Sequence, residues 1–422
     1  MTQRYDTYKE SGVQWLGEIP GHWGLFQFRK FFKIKKEIAG REGIDVLAIT
    51  QQGIKIKDIT RNEGQLAANY SGYQIVNPSD FAMNHMDLLT GYIDISKFYG
   101  VTSPDYRVFT NVSEEADGKY YLYIFQLCYK LKIFFGLGQG VANKGRWRLP
   151  ATQLNRFCLP LPPLSEQRAI VTYLDDKCGK IDKLVEGKQK QIELLAEMKQ
   201  RIIADAVTRG LNPNVKMKAT NIPWLPEIPE HWEILRNKTY LLPTDEKVGN
   251  RKDITLLSLT KQGVIVRDLS EGKGKFPKDF DTYLVVRPNN LVFCLFDIDE
   301  TPRTVGLVRN YGMLTGAYTN FEVDENYMYP EFAYFYYLYV DDIKGLRPYY
   351  TGLRKVVKSS TFLQLRMPVP PLPEQRAIVT YLDDKCGKID LLVEKLKAEI
   401  DAIKEYKQRL ISDVVTGQIK VC

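Results

Sequence analysis

Seventeen consecutive residues occur twice in this chain. Glu166–Asp182 returns letter for letter as Glu374–Asp390, 208 positions later. Proline-rich lead-ins precede both copies, at Leu159–Leu164 and Pro368–Leu372. Upstream, Trp15-Leu-Gly-Glu-Ile-Pro-Gly-His-Trp23 returns as Trp224-Leu-Pro-Glu-Ile-Pro-Glu-His-Trp232 at an offset of 209, and Ile49–Ile54 is echoed by Leu259–Val264. Offsets this constant mean one unit written twice, each a globular part followed by a helical part.

Periodicity marks the helical parts. Prolines end just before Ser165 and Glu374 and supply the start signal. Apolar residues then recur at Ile170, Leu174, Ile181, Leu184, Leu195, Met198 and Ile202, and in the second copy at Ile378, Leu382, Ile389, Leu392, Leu396, Ile403, Tyr406 and Leu410. This 3-4 alternation predicts coiled-coil seams, with Gly179 and Gly387 as local weak points where a bend is expected. A helix from Glu166 to Arg209 would be about 66 Å long at 1.5 Å per residue. Each seam needs a partner, and its sister seam supplies one. Antiparallel pairing is expected, because parallel pairing would need a much longer return path.

The globular parts read as mixed α/β. Asp45–Thr50, Tyr121–Cys128, Ile254–Leu259 and Tyr283–Val286 are strand-like runs, and Glu331–Val340 is the clearest helix of the second globule. The expected class is therefore α+β, with two mixed α/β globules separated by two long antiparallel coiled-coil helices in a pseudo-two-fold repeat. Its four parts are residues 1–160, 161–210, 211–368 and 369–422.

Of the 422 residues, 44% are hydrophobic and 26% charged, which fits globular protein and excludes wholesale disorder. The apolar runs around Phe332–Val340 and Leu291–Ile298 are too short to span a bilayer, and Met1–Glu10 has no apolar signal core. Six scattered cysteines without a CxxC pair argue against a disulfide framework or zinc site, and make a reducing cytoplasm the expected home. The net charge is +8, yet Leu161–Gly210 carries +1 and Val369–Cys422 none, so the excess lies in the globules. A basic globule suits a polyanion, whose counterions each phosphate contact releases.

The copies agree in the helices even at polar positions that a seam does not dictate, whereas the globules have diverged. Two surfaces with different targets, mounted on two surfaces with the same target, would produce this pattern. Recombination that homogenised the helical DNA is the plainer alternative.

At this point a resemblance becomes specific. "LPPLSEQRAIVTYLDDK" and "PPLPEQRAIVTYLDDK", each continuing to "ID.LVE", resemble the two conserved helical regions of type I restriction-modification specificity subunits. Ser11–Trp23 is similar to that family's opening, and Asn77–Phe109 to a common target-recognition-domain signature. "LVFCLFDID" followed by "GLVRNYGMLTGAY" is a looser version of that signature. The resemblance covers essentially the whole chain. It implies a non-catalytic subunit whose two target-recognition domains, 1–160 and 211–368, each read half of a split double-stranded DNA site. The conserved helical regions, 161–210 and 369–422, set the unread gap. Two methyltransferase subunits, with S-adenosylmethionine as their cofactor, and two restriction/translocase subunits are the implied partners.

The residues themselves carry no rival chemistry. Phe134–Gly140 imitates a glycine-rich cofactor loop but lacks the following helix and the later acidic residue, and reads as a decoy. No phosphate loop, HExxH site, GxSxG elbow or Asn-Pro-Pro-aromatic element occurs. No metal site is expected. His22 and His231 are repeat equivalents expected to pack at the mouths of the globules, and Cys178 and Cys386 are expected to be buried. A structural adaptor gathering two identical protein partners, without DNA reading, is the alternative function. A fused restriction-methylation enzyme would use the same kind of subunit.

Reading bases requires side chains that reach their edges, chiefly Arg, Lys, Asn and Gln. The first globule offers Gln51, Gln52, Asn84, His85, Lys144, Arg146 and Arg148, and the second Lys261, Gln262, Arg303, Arg354, Lys355 and Lys358. Tyr106 and Tyr318 fall at matching places and can pack or stack. On the helices the matched polar sets Asp175, Asp176, Lys177, Lys180 and Asp383, Asp384, Lys385, Lys388 are the candidate partner-docking positions.

Overall fold

A computed structural model describes residues 3–59, 67, 69–140, 147–251, 253–267 and 280–421. The chain divides into two compact units that cut across both long helices. One comprises Met1–Lys188 with Ala398–Cys422, the other Gln189–Lys397.

The core of the first unit is an antiparallel sheet ordered Phe32–Lys35, Arg107–Asn111, Phe81–Met83, Ile93–Ile95. Phe81 and Phe109 are opposite each other across the sheet, their rings stacked at 4.9 Å and 7°. Phe28, Phe32, Trp23 and Phe125 join them in one buried cluster. Burying a large aromatic stabilises by roughly 2–3 kcal/mol, so this cluster dominates the unit. The second unit repeats the sheet as Leu241–Thr244, Thr319–Val323, Leu291–Phe293, Val305–Leu307. Leu291 faces Phe321 in the register of Phe81 and Phe109. The divergent globules thus share a frame.

Tyr121–Cys128 is not a strand. It lies within the helix Gly118–Lys130, which Asp117 caps by accepting from the backbone N–H of Lys119 and Tyr120 at 2.9 and 3.1 Å. Aromatic residues favour strands on propensity, and Tyr120, Tyr121, Ile124, Phe125, Leu127 and Cys128 are all buried, which blurs the helical period. The cap settles the matter.

The long helices, Leu164–Arg209 (46 residues) and Leu372–Val415 (44 residues), run through Gly179 and Gly387 without a break. In the first unit Lys407 pairs with Asp182 at 2.6 Å and Lys188 with Glu399 at 2.5 Å, so one helix descends as the other ascends. In the second unit Lys199 pairs with Asp390 at 2.6 Å, the repeat equivalent of the Lys407–Asp182 pair. The helices are antiparallel.

The seam departs from the apolar pattern in its middle. Leu184, Met198, Leu392 and Tyr406 are 50%, 54%, 45% and 59% exposed, while Val185, Lys188, Ile192, Val393 and Lys407 take the half-buried positions. Lysine stems lie along the apolar contact and place their ammonium groups on carboxylates of the other helix. A pattern that counts only apolar letters therefore slips by one residue.

Candidate nucleic-acid interface and docking faces

The repeated segment begins by fastening each helix to its globule. Glu166 accepts from Trp23 Nε1 at 3.1 Å and lies 2.9 Å from His22 Nε2; Glu374 does the same with Trp232 at 3.1 Å and His231 at 2.7 Å. The next residue, Gln167, accepts from the Asp117 N–H and donates to the carbonyls of Glu115 and Pro162. Gln375 repeats this with Tyr329, Tyr327 and Pro370. Both glutamines are fully buried. Sequence reasoning placed the histidines at the globule mouths but missed these four acceptors, although their place inside the duplicated segment was the signal.

Gln51 and Gln52 form the exposed tip of the hairpin Leu47–Ile56, and Lys261 and Gln262 the matching tip of Leu257–Val266. Gln51 donates to the Thr90 carbonyl at 3.1 Å, and Lys55 donates to Gln52 Oε1 at 2.6 Å. Arg303 reaches the Lys261 carbonyl at 3.5 Å, and its Nε is buried without a partner.

Asn84, His85 and Arg148 come together. The Leu149 N–H donates to the His85 carbonyl at 3.0 Å, the buried Arg107 guanidinium to the Leu149 carbonyl at 2.8 Å, and the Tyr129 hydroxyl to the Asn84 carbonyl at 2.7 Å. Burial, then the charges of Arg107 and Arg148, push the His85 imidazole down to about 3. Burial also lowers Arg107, to about 10. Arg107 and Tyr129 were not among the expected residues, because single buried polar residues carry no sequence signal. Lys144 and Arg146 lie outside the described residues.

The second globule keeps the frame and changes its contents. The Val357 N–H donates to the Leu295 carbonyl at 2.8 Å, as Leu149 does to His85. Arg354 is ion-paired with Asp297 at 3.3 Å and lies over the Phe296 ring; Lys355 pairs with Asp299 at 3.0 Å and Glu300 at 2.7 Å. Lys358 is the exposed residue that precedes the helix Ser359–Gln364. Tyr318 stacks on Phe296 at 6.2 Å, and Tyr106 is half-buried.

On the first long helix Asp175 turns towards the globule, accepting from Lys119 and from the Tyr123 hydroxyl. Asp176 and Lys180 pair with each other at 2.8 Å, and Lys177 lies over Tyr173. The second helix repeats the outward set: Asp384 pairs with Lys388 at 2.7 Å and Lys385 lies over Tyr381. Burial raises the Asp383 carboxyl.

Gly138, in the loop that imitates a cofactor site, is packed against Trp147; a Cβ there would lie 2.2 Å from its Nε1, which donates to the Phe135 carbonyl. The space a phosphate would need is filled. Among the described residues no cluster of His, Cys, Asp or Glu is placed to hold a metal ion, and no helix is long and apolar enough to cross a membrane.

Residues 25–194 match the type I restriction modification DNA specificity domain, a segment that contains the first globule's sheet, its clamp and the start of the first long helix. The similarity to type I restriction-modification specificity subunits extends beyond this segment. A putative type I restriction enzyme MjaX specificity subunit of Methanocaldococcus jannaschii is 24% identical over 98% of both chains. The MjaVIII specificity subunit of the same organism is 24% identical over 62% of each. A solved chain from work on complex assembly and conformational transition of the type I R-M system shares the fold. It has a TM-score of 0.67 and 12% identity, and the match covers 94% of this chain and 98% of that one.

Proposed function

We propose that the globules, residues 1–160 and 211–368, each read one half of a gapped double-stranded DNA site, and that the two long helices fix the gap. In this reading the chain does no chemistry. Two methyltransferase subunits, each carrying S-adenosylmethionine, dock on the repeated helix faces, and two restriction/translocase subunits complete the restricting assembly in the cytoplasm. The hairpin tips at Gln51, Gln52, Lys261 and Gln262, with Asn84, His85 and Arg148, form the reading surface. Lys144, Arg146, Arg303, Arg354, Lys355 and Lys358 supply further contacts to bases or phosphates.

The observation that carries this reading is the contrast between frame and surface. Tyr173, Asp176, Lys177 and Lys180 have the same outward arrangement as Tyr381, Asp384, Lys385 and Lys388. The globules share a sheet yet differ at the residues facing out of it. Equal faces fit two copies of one partner; unequal ones fit two different half-sites.

The test is a genome-wide map of methylated adenine, with the chain and its neighbouring methyltransferase subunit expressed in a methylation-free host. One split motif with a fixed gap is expected. Modification without a motif, despite a stable complex, would support the structural adaptor instead.

A further inference from the structure

We infer that Asn84, His85 and Arg148 form a donor-only reading edge for a guanine, present in the first globule and erased in the second; this rests on the half-site reading proposed above.

The argument begins with the imidazole. His85 Nδ1 is sealed from solvent with no hydrogen-bond partner, in a residue that is only half-buried. Arg107 and Arg148 are the charged groups that act on the ring, and among the described residues no carboxylate does. In the positive field of these arginines a neutral ring favours a lone pair on the sealed Nδ1 and the proton on Nε2. His85 therefore presents a donor outward. Asn84 is committed in the same sense: its Oδ1 accepts from the Met86 N–H at 3.2 Å, which leaves the amide NH2 as the outward group. Arg148 is exposed and has donors only. Tyr129 and Leu149 pin the carbonyls of Asn84 and His85, and the Gln139 N–H that of Arg148, so the backbone behind the edge is held in place.

A row of donors matches a row of acceptors. In the major groove guanine alone offers two adjacent acceptors, N7 and O6, whereas adenine pairs its N7 with a donor amine. The second globule has nothing comparable at these places. Cys294 and Leu295 follow the strand Leu291–Phe293 as Asn84 and His85 follow Phe81–Met83, and Val356 bridges Thr351 as Arg148 bridges Gln139. On the shared frame the three donors have become a thiol and two aliphatic side chains.

The test compares selections from a library with both half-sites randomised, bound by the intact methyltransferase complex built on the parent chain, on His85→Leu with Arg148→Val, and on His85→Gln. In the parent a guanine is expected at one position of one half-site. The double variant is expected to lose at least tenfold of its preference for guanine there, with the other half-site and the gap unchanged. His85→Gln, which keeps an outward amide donor, is expected to retain most of the preference. Uniform weakening at every base would make the cluster a phosphate contact and overturn the inference, as would an unchanged preference. Thermal melting of the complexes separates misfolding from misreading: a variant that fails to assemble is replaced by Arg148→Val alone, judged by the same criterion. Absence of any gapped motif in the parent would instead refute the underlying half-site reading.

Discussion

The indole nitrogen of Trp23 donates to the Glu166 carboxylate at 3.1 Å, and Trp232 does the same to Glu374 at 3.1 Å. Both rings are fully buried, so the carboxylates provide acceptors that water cannot replace. Glu166→Ala leaves that N–H unsatisfied and is expected to lower stability by about 1–3 kcal/mol, whereas Glu166→Gln keeps an acceptor and loses less. Glu374→Ala is expected to cost less than Glu166→Ala, because 27% of the Glu374 side chain is exposed against 8% of Glu166. Urea denaturation of the three variants checks the order.

A second expectation concerns pH. Burial and the neighbouring arginines hold His85 at about 3, below its ordinary 6.5. The unfolded chain takes up a proton in that window that the folded chain refuses. Stability is therefore untouched above pH 6.5 and falls as pH drops towards 3. His85→Leu removes this titration, so its melting temperature should fall less between pH 7 and pH 5 than that of the parent. An equal fall in both would mean that the folded ring already carries a proton.

The helix faces give a third. Leu184 and Leu392 are repeat equivalents, each about half exposed. Replacing both by Gln should leave the melting temperature nearly unchanged, since exposed substitutions usually lie within about 0.5 kcal/mol. If the faces dock methyltransferase subunits, the same variant should bind them more weakly in analytical ultracentrifugation. Loss of stability with unchanged assembly would place these leucines in the fold rather than the interface.

The duplication made the architecture legible. Repeated letters at a constant offset carried the two helices, their antiparallel sense and the shared frame before any contact was known. Local chemistry was read less well where burial hides its own signal. The Tyr121–Cys128 run is apolar on every side, and only the Asp117 cap reveals it as helix. The seam slipped because Lys188, Lys199 and Lys407 behave as long aliphatic stems with charged tips, which a polar letter conceals. His85 was visible as a candidate, but the lowering of its pKa comes from burial and from Arg107, a residue 22 positions away that only the fold brings near it.

The last expectation tests the helices as a ruler. Seven residues inserted after Gly187 and seven after Lys395, positions equivalent in the repeat, preserve the 3-4 seam in both strands of the pair. Each insertion adds about 10.5 Å at 1.5 Å per residue, and DNA advances about 3.4 Å per base pair along one strand. The gap between half-sites is expected to widen by about three base pairs, with both half-sites unchanged. Rotation opposes the fit. Three base pairs turn the duplex by about 100°, while a heptad turns a straight helix only about 20° from its starting phase. Modification should therefore be slower as well as differently spaced, and methylome sequencing reads both. An unchanged gap would mean that the helices do not set the spacing, whatever else they hold.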